Sequence, residues 1–159
     1  MSNGQEVAKT LFQKIVGTKP TRVKQGHGSF ITMDFGRDIQ EQVKTRNGMV
    51  TKCFGEWHLW IYMCAWRIDK EQIPSVGFED TREKIATFLL ELQNRTLTNV
   101  NILNQAFDTR LVFGDMEVHL FSFHTTDQKQ WMLFTPEKKV FVAGPKNSWS
   151  YNSSDAPLP

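Results

Sequence analysis

The stretch Phe54-Gly55-Glu56-Trp57-His58-Leu59-Trp60-Ile61-Tyr62 decides the fold class of this chain. Successive side chains of a β-strand point to opposite faces. Leu59, Ile61 and Met63 thus share one apolar face, while Glu56, His58, Trp60 and Tyr62 share a polar-aromatic one. Apolar or aromatic residues occupy both faces from Trp57 to Ile68. That pattern predicts one long central strand, covered on both sides or lining a pocket on one.

A second stretch follows the same order. Phe113-Gly114, a two-residue step, then Glu117-Val118-His119-Leu120-Phe121-Ser122-Phe123 reads Phe-Gly, Glu, apolar, His, Leu, aromatic, any, aromatic. A capped helix precedes each copy. Asn3 and Glu6 have capping-box spacing ahead of Val7, Leu11, Phe12 and Ile15; Asp80 and Glu83 stand likewise before Ile85, Phe88, Leu89 and Leu92. The predicted helices run over about 5–16 and from about 80 to 94. The other predicted elements are short strands, with Asn47-Gly48 as a two-residue hairpin turn. A hairpin inserted around 37–53 accounts for the longer path to the first copy. Runs of strands with few helices fit an α+β fold. The expectation is an antiparallel sheet core, two main helices, and two pseudo-repeats of helix followed by strands. Lys70–Phe78, with Pro74 and Gly77, reads as a connection.

The chain has 159 residues, enough to bury a core without a metal or disulfide. Residues 1–146 read as one domain, and the Pro-, Ser- and Asn-rich 147–159 as a mobile C-terminal tail. A net charge of +2, with bases dispersed among acids, gives no reason to expect nucleic acid. Two cysteines make no disulfide framework, and Cys64 reads as a small buried hydrophobe. No signal-peptide core or membrane-length apolar run occurs, so a cytoplasmic location without membrane contact is expected.

Candidate function centres on the polar-aromatic faces: Glu56, His58, Trp60 and Tyr62 in one copy, Glu117, His119 and Phe121 in the other. Pockets and contact surfaces combine rings with a few placed polar groups. A metal held by Glu56, His58, Glu117 and His119 is the sharper alternative, although no His-x-His or His-x-x-x-His pair supports it. No phosphate loop, nucleophile elbow or zinc-finger spacing is present. The expectation is therefore a non-enzymatic binding or interaction protein without a cofactor, with a protein partner and a possible homodimer. Trp66, Trp131, Trp149 and Tyr151 are candidate anchors. A small ligand- or metal-binding protein, or an enzyme using the same face, is the alternative.

Overall fold

The computed structural model describes residues 3–154. An N-terminal helix, α1 (Asn3–Gln13), buries Ala8, Leu11 and Phe12. Three strands follow as a meander: β1 (Arg22–Gln25), β2 (Ile31–Thr45) and β3 (Gly48–Ile61). The chain then crosses to a second sheet and forms β4 (Ala65–Lys70) and β5 (Ile73–Gly77).

The second half opens with α2 (Arg82–Gln93) and a second meander: β6 (Asn99–Ile102), β7 (Thr109–Phe113) and β8 (Met116–Phe121). It returns to the first sheet as β9 (Trp131–Phe134), β10 (Lys139–Ala143) and β11 (Trp149–Ser153). The strand orders are β1-β2-β3-β9-β10-β11 and β5-β4-β8-β7-β6, and every pairing is antiparallel. The fold is α+β, as the strand-rich pattern predicts. Both halves run helix, three-strand meander and crossing, after which the first ends in the hairpin β4–β5 and the second in the three strands β9–β10–β11; β3 and β8 each close a meander.

One core joins the sheets. Phe35, Leu59, Ile61 and Phe141 from the first meet Trp66, Ile68, Val118 and Leu120 from the second. Each helix closes an open side between them. α2 packs against β1 and β5, and α1 against β6. At the other end of that side, a Cβ on Gly4 would lie 2.5 Å from the Trp149 ring of β11. Gln93 also protects the β1 edge: its amide accepts from the Val23 N–H and donates to the Thr21 carbonyl. An edge strand left unpaired is a template for unwanted pairing, and this side chain occupies it.

The structure revises four local expectations. Trp57–Ile68 is not one strand, because the chain leaves β3 at Tyr62 and enters the other sheet at Ala65. Residues 70–78 contain β5, where Pro74 is tolerated because the strand lies at a sheet edge. The N-cap of α2 is Thr81, whose hydroxyl accepts from Lys84 N–H; Asp80 accepts from Gly77 N–H instead. Finally, the segment assigned to a tail pairs with β10 from Trp149 to Ser153, and Trp149 stacks on Phe141. The rest of the expected tail, 155–159, lies outside the described residues.

Candidate functional site

On β3, Trp57, Leu59 and Ile61 are buried while Glu56, His58 and Trp60 are half-buried. The alternation thus turns the polar-aromatic residues away from the shared core, on the outer face of the six-stranded sheet. Register builds this face across strands: Asp34 and Phe134 flank His58, and Thr32 and Met132 flank Trp60. Phe30 packs 4.7 Å from the Tyr62 ring and 6.2 Å from Trp60, which is 5.0 Å from Tyr62. Beneath this ring layer Met132, Val140 and Val142 form a small second core. Outer sheet faces are usually polar, so a half-exposed layer of rings is the distinguishing feature here.

His58 is held at the margin of the layer. Its Nδ1 bonds to the buried Asp34 carboxylate, and Phe54 and Phe134 lie against its ring. Arg22 donates from Nε to Asp34 at 3.0 Å and from Nη2 to Asp38 at 3.1 Å. Burial alone would raise the pKa of Asp34, but the His58 hydrogen bond and charge, the Gly55 N–H and Arg22 together hold it below the ordinary value. A carboxylate on Nδ1 fixes the imidazole and leaves Nε2 as the edge that could meet a ligand or move a proton.

The strand continues beyond the sandwich. β1 reaches β2 only at Ile31–Asp34, and β9 reaches β3 only at His58–Ile61. Among the described residues, from Asp38↔Gly55 to Thr45↔Gly48 the two strands pair only with each other. This two-stranded arm is about 25 Å long at roughly 3.3 Å per residue. It leaves the sheet through a bulge at Gly36-Arg37. There Gly36 has φ 79°, in the left-handed region that favours glycine.

The second copy has different surroundings. Glu117, His119 and Phe121 lie on the outer face of the five-stranded sheet, as the alternation of β8 predicts. There His119 is flanked by Arg110 on β7 and Arg67 on β4. Its Nε2 lies 3.1 Å from Asp69 and 3.3 Å from Glu117, without hydrogen-bond alignment to either. Arg67 grips Asp69 with two bonds and sits over the Phe121 ring, 5.6 Å from its centroid. This face is a balanced charge network with one ring stacked on His119. An open cleft of about 500 Å³ beside it is lined by Arg67, Phe78 and Phe121 among others. A larger one of about 630 Å³ runs between β1 and α2.

Glu56 and His58 are therefore not brought to Glu117 and His119. The pairs occupy different sheets whose opposite faces form the common core, and the four-residue metal site is excluded as a constellation. Among the described residues no group of three or more His, Cys, Asp or Glu could hold a metal ion. Trp66 and Trp131 are core residues, donating to the carbonyls of Ser29 and Phe107, so neither is an interface anchor. Burial pushes the Cys64 thiol up to about 12, so it stays protonated and inert. Among the described residues no helix is long and apolar enough to cross a membrane. Sequence reading missed Arg22, Asp34, Phe30 and Phe134 as site residues. The alternation of Thr32 and Asp34 was visible, but the register that sets Asp34 beside His58 was not. Compared with protein-family models, with curated proteins and with solved structures, the chain matches none.

Proposed function

We propose that this chain is a protein-binding module whose contact surface is the outer face of the six-stranded sheet together with its arm. One observation carries the reading: Phe30, Trp60, Tyr62 and Phe134 form a half-exposed ring layer on a face that leads into an unpartnered two-stranded ribbon. Contact surfaces are enriched in such rings and in Arg, because rings gain large apolar area at little entropic cost. The equivalent face of the other half pairs its charges with one another, and its strands carry a single ring there, Phe121, in place of a layer. Matched element order supports treating the halves as copies of one unit, with the arm and ring layer as additions to the first.

A photo-reactive side chain at Tyr62 tests this in the protein's native cells. Illumination is expected to give one discrete cross-linked species, absent when the same group replaces Val112 on the opposite outer face. No cross-link from position 62, or the same species from both positions, would remove the support. The Asp34–His58 pair favours a second reading, a small-molecule or acid–base site at Nε2. A ligand that shifts the His58 imidazole NMR signals would favour it.

A further inference from the structure

Resting on the reading of this face as a contact surface, we propose that its occupant is a second copy of this chain, packed arm on arm about a twofold axis that runs along the arms. A lone two-stranded ribbon is marginal in water, since neither face is covered. The arm between 38 and 55 is such a ribbon, and Met49 and Val50 near its tip are 62% and 44% exposed. It carries no proline within its strands, and among the described residues neither edge pairs with another strand. A second copy of the chain is one source of protection.

The pairing register says what kind of partner fits. On one face the cross-strand pairs are Ile39–Phe54, Glu41–Lys52 and Val43–Val50, apolar on either side of one acid and one base. The other face carries Gln40–Cys53, Gln42–Thr51 and Lys44–Met49, with Gln42 donating to Thr51. The first face carries most of the apolar area, four side chains against Met49 and the Cys53 thiol on the second. Glu41 and Lys52 have no ion-pair partner among the described residues, so both charges remain available.

A twofold axis along the arm exchanges its two strands. It sets Ile39 against the partner's Phe54, Val43 against the partner's Val50, and Glu41 against the partner's Lys52, each twice. An axis across the arm would instead set Glu41 on the partner's Glu41 and Lys52 on the partner's Lys52, so like charges exclude it. A patch that is its own complement is what an isologous dimer requires. A ribbon about 25 Å by 10 Å offers only about 250 Å² per protomer, short of the roughly 800 Å² of a standard interface. The first face of the arm is continuous along β3 with the face of His58 and Trp60, so the proposed contact extends onto the ring layer.

Sedimentation of wild type, E41K, K52E and an equimolar mixture of the two variants tests this. Wild type is expected to dimerise. Each variant alone faces like charge twice and should associate at least about tenfold more weakly. In the mixture, both positions of the E41K chain are basic and both positions of the K52E chain are acidic. Opposite charges then meet at both contacts, and a heterodimer should be recovered. The substitutions lie outside the core, so melting temperatures should match that of wild type at concentrations where wild type is monomeric. Monomeric wild type, single variants that associate as well as wild type, or a mixture without heterodimer would each overturn the proposal. Monomeric wild type that still cross-links a different protein from Tyr62 would leave the contact-surface reading standing with another occupant.

Discussion

His58 and His119 hold the same place in the two halves, and their neighbours give them different work. An acid and a ring flank His58; two guanidinium groups flank His119. Asp34 is the residue that makes the difference, since it is buried and bonded to both His58 and Arg22. Its pKa is depressed on folding, so its stabilisation is fully present above the unfolded carboxyl pKa and lost as pH falls through the folded one. Replacing Asp34 by Asn should cost about 1–3 kcal/mol at pH 7, the range for a buried charge-assisted bond. The difference from wild type should shrink toward low pH in thermal melts recorded from pH 7 down to pH 2. A constant difference over that range would contradict the assignment. At this scale the sequence exposed which side chains share a face of β3 and β8, because that depends only on alternation. It hid which side chains meet across strands, because register is a property of two segments at once.

Helices and turns were legible where local chemistry sets them: the apolar stripe of α2, its end at Asn94, and the Asn47-Gly48 turn. Elements that depend on neighbours were not. The break of Trp57–Ile68 at Tyr62 reflects the step between sheets, and Ser- and Asn-rich Trp149–Ser153 becomes a strand because β10 supplies its partner. Gly4 shows how a distant contact can reverse a local rule. In an exposed helix, alanine at this position would gain about 1 kcal/mol over glycine. Here an added methyl would enter the Trp149 indole at 2.5 Å and push α1 off β11, closing one side of the sandwich less well. Gly4→Ala should therefore destabilise by about 1–3 kcal/mol in urea unfolding, the usual cost of overpacking. A stabilised variant would show that α1 does not seat on that ring.

Seen as a whole, the two halves share an element order up to the crossing and differ in what they expose. The first has an arm of β2 and β3 and a ring-bearing outer face; the second has a short β7–β8 turn and a charged face. Two helices, the Gln93 side chain and the shared core protect the rest of the sandwich. The arm has no such protection among the described residues, and in the proposed dimer a second copy supplies it. Amide hydrogen exchange of wild-type protein at about 100 µM and about 1 µM tests this most directly, because mass action links arm protection to concentration. The amides of Asp38–Thr45 and Gly48–Phe54 should exchange slowly at the higher concentration and quickly at the lower, while those of β7 and β8 stay unchanged. Equal exchange of the arm at both concentrations would contradict the arm-on-arm dimer.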